Sequence, residues 1–212
     1  MLQKSNIDLT IDPTKTALLL LHWQNEIASP GGKRFGDIQA SISLSQTIDR
    51  TSSVLKISRE KGVLIVYVNL CHRQGYPERS PRFFLLDKNY AGLGAWLTET
   101  WGVENIDKLK PRRGEIIVYN YSPSAFCYTE LDLILRNKGI TGLVLSGIAT
   151  NWVVENTARE GSNIGYFIYT LSDCCNSFND EMHNWPLINI LPKLGVVLDS
   201  ETYIKILTGN AH

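Results

Sequence analysis

The sequence lacks most of the features that announce a function directly. It has no net charge: 21 Lys and Arg are matched by 21 Asp and Glu in 212 residues. Without a field of one sign, nothing steers the chain toward nucleic acid or an anionic membrane surface. The basic clusters Lys33-Arg34 and Lys110-Pro111-Arg112-Arg113 are too short to alter that, and a small neutral or weakly charged molecule is the expected partner. Long apolar runs are missing too. Ala17 to Leu21 is the longest near the N-terminus, strand-sized against the ~20 residues that a membrane span requires. Residues 1–15 are polar, without the basic and apolar regions of a secretion signal. Cysteine is scarce, at 71, 127, 174 and 175. Neither C-x-x-C metal spacing nor a secreted disulfide framework is present, and the neighbours Cys174 and Cys175 are badly placed to bridge each other. These absences point to a cytoplasmic protein with reduced thiols. Repeats, low-complexity tracts and interdomain linkers are also absent, so residues 1–212 read as one domain with a polar N-terminal extension over 1–15.

What is present alternates between two periods. Short apolar, β-branched runs at Thr16–Leu21, Val63–Leu70, Glu115–Tyr119, Gly142–Ser146, Gly165–Thr170 and Gly195–Val197 suit strands buried on both faces of a parallel sheet. Helical patterns lie between and after them, at Ile38–Lys61, Thr129–Lys138 with Gly139 as its stop, Thr150–Ser162, Asp180–Leu191 and Ser200–Leu207. Roughly six βα units predict an α/β fold, a single doubly wound domain whose parallel sheet of about six strands is flanked by helices. In such open sheets ligands bind at the carboxyl ends of the strands. Two long loops leave from those ends: Ala28–Asp37, rich in Gly and Pro, and Cys71–Tyr90, which carries Tyr76, Phe83 and Phe84 among charges. Loops of that length often serve as lids.

Four segments carry a family resemblance. They are "KTALLLLHWQNEIASPGG", "YNYSPSAFCYTELDLILRNKGI", "LVLSGIATNWVVENTARE" and "LSDCCNSFNDEMHNW". In order and spacing they resemble the D-x-Q-N strand end, the K-x-x-x-S-A-F-x-x-T-x-L element, the nucleophile turn G-V-x-T-x-x-C-V-x-x-T-A-R and the D-A-x-x-S…H segment of the isochorismatase-like hydrolases. That family also contains nicotinamidases, N-carbamoylsarcosine amidases and ureidoacrylate amidohydrolases. The resemblance runs from about Thr16 to Leu207 and implies a Rossmann-like α/β hydrolase fold. It also implies a cysteine thiolate attacking an amide or related carbon, an aspartate as its base, and a lysine that lowers the thiol pKa.

Matched motif to motif, the aspartate position is His22, the lysine position is Asn120 and the cysteine position is Val153. Thr150, Thr157, Ala158 and Arg159 pin that register. A valine has no lone pair, so covalent attack from position 153 is excluded. Strict isochorismatases of the family are implied to use the aspartate as an acid on a vinyl ether, without a cysteine. His22 could take over that proton, since its unperturbed pKa is near neutrality; equally, it could be a hydrogen-bonded histidine of a remodelled pocket. Cys71 and Cys127 are the cysteines closest to the ligand side, though free cysteines are more often small buried hydrophobes.

The remaining expectations concern the pocket. Its lining is expected from His22, Asn25, Tyr119, Asn120, Trp152 and Val153, with Arg79, Arg82 and Phe84 from the lid, where an arginine could clamp a carboxylate. Trp152 is expected to fill volume. The resemblance further implies a cis peptide before Ala149, with main-chain N–H groups of the turn forming an oxyanion hole that would outlast loss of the cysteine. No cofactor is expected. No metal is expected either, because His72 has no Asp two residues before it and a lone histidine is a poor ligand set. His183 has a packing role by default, and His212 is terminal. Two functions stay open: a hydrolase of a small conjugated acid, vinyl ether or amide through His22, or an inactive homologue that binds a ligand or a partner. A homo-oligomer is expected, with Trp96, Trp101 and Trp185 as candidate contact residues.

Overall fold

The computed structural model describes residues 9–38, 44–79 and 90–209. The strands are β1 (Thr16–Leu21), β2 (Leu64–Leu70), β3 (Ile116–Asn120), β4 (Gly142–Ile148), β5 (Phe167–Asn176) and β6 (Gly195–Leu198). The longer helices are α1 (Leu44–Glu60), α2 (Leu131–Asn137), α3 (Glu155–Asn163), α4 (Asp180–Asn189) and α5 (Ser200–Thr208). All six strands pair in parallel in the order β3-β2-β1-β4-β5-β6.

The central strand explains the layering. Every residue of β1 is buried, and strand geometry sends alternate side chains to opposite faces. Leu18 and Leu20 join one apolar cluster with Val54 and Leu55 of α1 and Tyr203 and Leu207 of α5. Ala17, Leu19 and Leu21 join the other with Leu131 of α2, Ala158 of α3 and Leu187 of α4. A run of four leucines without polar alternation is therefore what a sheet covered on both sides requires.

Three boundaries differ from the sequence reading. β4 and β5 run past Ser146 and Thr170, because their polar residues are satisfied in the interior. Ser146 Oγ donates to Cys174 O (2.7 Å) and accepts from the Trp23 indole (3.0 Å). The Asp173 carboxylate caps α5 through Ser200 N (2.8 Å) and Ser200 Oγ (2.7 Å). The helix expected over Thr150–Ser162 begins as a π-helical turn, Thr150–Val154, before α3. The N-terminal extension is partly core: Ile11 is buried in the α1 face, and Asp12 accepts from Thr14 N at 2.8 Å to start the turn into β1. Residues 39–43 of the expected Ile38–Lys61 helix lie outside the described residues, as do His212 and the lid positions Arg82 and Phe84.

One contact joins the two halves of the sheet. β1 pairs with β4 so that Leu21 faces Gly147. A Cβ on Gly147 would lie 2.6 Å from both Cβ and O of Leu21, closer than packed atoms tolerate. Gly147→Ala is expected to cost about 1–3 kcal/mol by overpacking. A urea melt should show a lower midpoint with an unchanged m-value.

Candidate functional site

The strand order places the topological switch point between β1 and β4, where successive connections depart in opposite directions. The carboxyl ends of these two strands are the expected ligand position of a doubly wound sheet. Chain departure differs on the two sides. After β1, His22 takes a left-handed conformation (φ 58°); its N–H still reaches Val68 O at 2.9 Å, and Gln24 N reaches back to His22 O at 2.7 Å. The Gln24 amide then continues the ladder as a side chain, accepting from Leu70 N (2.9 Å) and donating to Leu70 O (2.8 Å) and Val103 O (2.9 Å). After β4, the Ile148–Ala149 peptide is cis, as the resemblance implied.

His22 and Asn120, which are 98 residues apart, meet here. His22 Nε2 lies 3.0 Å from Asn120 Oδ1. The Asn120 Nδ2 group donates to Ser122 O (2.7 Å) and Ser124 O (3.2 Å), which leaves Oδ1 as an acceptor. His22 Nε2 therefore carries the proton of the pair. Nδ1 holds the lone pair when the ring is neutral, and nothing among the described residues hydrogen-bonds it. Burial lowers the His22 pKa to about 4, against the opposing bond to Asn120, so the ring is neutral near pH 7.

The turn after β4 is held without any group at position 153 that could attack. Val153 is buried among Leu21, Ala125, Phe126 and Ala158. The surrounding motif residues pin the turn. Thr150 Oγ1 donates to Asn176 O (3.0 Å) and so accepts from His183 Nδ1 (2.8 Å). Thr157 Oγ1 accepts from Ala125 N (3.1 Å), and Ser124 Oγ donates to Glu160. Trp152 N and Val154 N both bind Ala149 O, at 3.1 and 3.3 Å. The Ala149 N–H has no acceptor among the described residues.

Other expected pocket positions lie differently. Asn25 is buried, but its amide is engaged, donating to Trp101 O (3.1 Å) and accepting from Ser29 Oγ (2.8 Å). Tyr119 alternates with Asn120 along β3 and so faces the other side of the sheet. There it is 46% exposed and lines a separate groove of about 510 Å³ with Asn69, Asn105 and Lys110. Trp152 does not fill the interior; it is 37% exposed. The structure thus brings together His22 and Asn120 directly, with Ala149 and Val153 on the adjoining strand end. Among the cysteines, burial pushes the Cys71 thiol up and Cys175 to about 12, which disfavours thiolates. Cys174 is likewise raised by burial, and Cys127 is half-buried beside Phe126.

A second buried histidine lies at the strand ends, with partners of its own. His72 follows β2 and is fully buried. Arg79 Nε and Nη2 donate to its Nε2 at 3.2 and 3.0 Å. The ring proton therefore sits on Nδ1, which lies 3.8 Å from Glu78 Oε2 without a hydrogen bond. Burial and the Arg79 charge lower its pKa to about 4. The Arg79 guanidinium also faces the Tyr90 ring, 5.3 Å from its centroid, and Arg34 lies 4.8 Å from the same ring. No set of three or more His, Cys, Asp or Glu that could hold a metal occurs among the described residues. No helix among them is long and apolar enough to cross a membrane.

Known proteins align with this arrangement along nearly the whole chain. The profile of the Isochorismatase domain matches residues 16–202. A cysteine hydrolase from Pseudomonas syringae pv. phaseolicola superposes with a TM-score of 0.85 at 21% identity, over 96% of this chain and 97% of that one. The N-carbamoylsarcosine amidase of Thermoplasma acidophilum superposes at 0.70 with 25% identity, covering 88% of this chain and 97% of its own. The nicotinamidase of Bacillus subtilis gives 0.72 and 25%, over 87% and 99%.

The buried histidine sets a pH dependence. Its folded pKa is below the unfolded value of about 6.5. As pH falls through 6.5, the unfolded chain takes up a proton that folded His22 refuses until about pH 4. Stability is complete above pH 6.5 and is lost between 6.5 and 4, on the order of 3 kcal/mol for this ring. His22→Gln, which keeps a donor toward Asn120 but cannot titrate, is expected to remove that part of the loss in urea melts at pH 7, 5.5 and 4.5.

Proposed function

The chain belongs to the isochorismatase family, and on that premise we propose that it holds a small amide-like ligand without attacking it covalently. One observation carries the reading: the His22–Asn120 hydrogen bond at 3.0 Å, with the Asn120 amide protons spent on Ser122 O and Ser124 O. By the motif match these two positions, with Val153, are those of the family's aspartate, lysine and cysteine. A buried carboxylate and ammonium compensate one another beside the thiol, and removing one of the pair alone would strand the other. Exchanging all three for a neutral hydrogen-bonded pair and a methyl-bearing side chain leaves no uncompensated charge.

The acid role weighed for His22 fits this geometry poorly. With a pKa of about 4, roughly one ring in 10³ is protonated at pH 7, and the Nε2 proton is already committed to Asn120. What the seat offers instead is one acceptor, His22 Nδ1, and one main-chain donor, Ala149 N–H. A carboxamide matches that pair, and nicotinamide, the substrate that names one of the similar proteins, is the natural first probe. The acid–base alternative rests on the same unpartnered Nδ1, a base about as weak as a carboxylate.

Purified protein is expected to shift its melting temperature with nicotinamide while releasing no ammonia from nicotinamide, carbamoyl or ureido compounds, and to leave isochorismate-type vinyl ethers intact. Turnover of any of these that His22→Ala abolishes would instead establish the hydrolase. The restoring triple variant His22→Asp, Asn120→Lys, Val153→Cys is expected to react with iodoacetamide at least tenfold faster than Val153→Cys alone, because only the former supplies a base and a cation beside the thiol.

The reading extends to assembly and location. A cytoplasmic homo-oligomer accords with four unpaired cysteines and with α4, which is apolar on both sides. Pro186 and Leu187 face inward, while Met182, Trp185 and Ile188 are 43%, 53% and 71% exposed. Trp101 is half exposed, whereas Trp96 is buried against Tyr90. Sedimentation should show a dimer or larger, and Trp185→Glu should shift it toward monomer.

A further inference from the structure

We propose that the groove at the amino-terminal end of the sheet, opposite the His22 seat, is a second binding site, for a small polyanion with adjacent phosphate groups. The groove has a volume of about 670 Å³, within the range of small-molecule sites. Val63, Ile65 and Ile140 form its floor, and Arg112, Arg113 and Lys138 line its rim.

The two arginines of this rim stand apart from the other described arginines. Arg34, Arg50, Arg59, Arg73, Arg136 and Arg159 each pair with a carboxylate, and Arg79 donates to His72. Among the described residues, Arg112 and Arg113 are the two arginines whose guanidinium has neither an ion pair nor a hydrogen bond. Lys138 likewise has none. In a chain with zero formal net charge, three cations without an ion pair converge on one groove.

The one carboxylate in the groove acts on the Arg112 guanidinium only through space and forms no ion pair with the three cations. Glu115 is engaged by Arg59, with Nε–Oε1 and Nη2–Oε2 both at 2.7 Å, and its Oε2 also accepts from Arg112 N at 2.7 Å. Arg59 Nη2 also donates to Tyr67 Oη (3.0 Å) and Lys110 O (3.1 Å). The same Glu115 closes the turn that presents the arginines: its N–H donates to Arg112 O at 3.0 Å, and Gly114 supplies the positive φ of 92° that this turn needs. The arginines are thus mounted on a braced turn, and their side chains take no part in bracing it.

The chemistry of the rim selects the ligand. Guanidinium forks match phosphate oxygens two at a time, and a lysine adds a point charge. Three cations balance the roughly three negative charges of a pyrophosphate group and would overcompensate a single carboxylate. An extended polyanion such as nucleic acid needs a long basic track, which a bounded groove on a neutral chain does not offer. Pyrophosphate occurs free and as part of nucleoside diphosphates, and the apolar floor has room for an organic moiety.

The test is calorimetric titration of the full chain with sodium pyrophosphate, and separately with ADP, at low ionic strength without divalent cations. Saturable one-site binding is expected. Arg112→Glu and Arg113→Glu should each weaken it by about tenfold or more, and the double variant should abolish it. Lys193→Glu, which removes an exposed cation elsewhere, should leave it unchanged. Equal affinities for the two probes assign recognition to the pyrophosphate group alone, while tighter ADP binding adds the floor. Urea melts of the variants should match the parent, since these side chains hold nothing in place. Absence of saturable binding for both probes, or equal weakening by Lys193→Glu, overturns the proposal. Neither result bears on nicotinamide binding at the other end of the sheet.

Discussion

The approach of β4 to β1 at Gly147 and Leu21 is the constraint on which the functional end of the molecule depends. With a Cβ there, the strands could not lie at this spacing, and the switch point would open. The register that the contact fixes sets Ile148 alongside His22. The chain then leaves β4 through a cis peptide and leaves β1 through a left-handed residue, so both strands turn away at one level and expose their ends side by side. The accompanying irregularity between Leu145 and Gly147 in the β4–β5 ladder is where Ser146 turns its hydroxyl to Cys174 O and the Trp23 indole. Core packing and site geometry are therefore settled by the same few residues.

Polar burial around this point relies largely on neutral amide groups that bond one another and the main chain. Asn120 satisfies two loop carbonyls and His22 together. Asn69 and Asn105 exchange reciprocal bonds at 2.9 and 3.1 Å, and Gln24 imitates a strand residue. Glu26, an interior carboxylate, is met by Trp96 N (2.8 Å) and Lys33 N (3.2 Å). Amide groups suit such interiors because they supply both donor and acceptor at no Born cost. The His22 ring is held neutral by the same environment. A seat of this kind distinguishes ligands by hydrogen-bond pattern and shape, whereas a charged one attracts and activates.

Much of the sheet was legible in the sequence because burial on both faces writes itself as continuous apolar runs, as in Leu18 to Leu21. Interior polar residues blur that signal. "SDCCN" reads as a loop until Asp173 is seen capping α5 and Cys174 receiving Ser146, so the second half of β5 went unseen. Partners far apart in sequence were legible only in part. The resemblance put His22, Asn120 and Val153 at related motif positions, but periodicity could not show that the asparagine fixes the imidazole tautomer. Nor could it show that Arg79 donates to His72. Strand alternation separates Tyr119 from Asn120 across the two faces of β3, a signal legible in the sequence. Trp152, expected to fill volume, is partly exposed in the π-helical turn.

The elbow after β4 is held in shape independently of residue 153. Its position is fixed by Thr150 on Asn176 and His183, by Thr157 on Ala125, and by Ser124 on Glu160, none of which involves residue 153. Val153 adds only burial in the apolar cluster on that face of the sheet. A nucleophile at that site would be a passenger on a turn that is already held, and its loss would cost the fold little as long as the replacement filled the same space. The main-chain N–H of Ala149 belongs to that fixed turn as well. That main-chain donor is therefore maintained by the packing of the scaffold and not by the side chain at position 153.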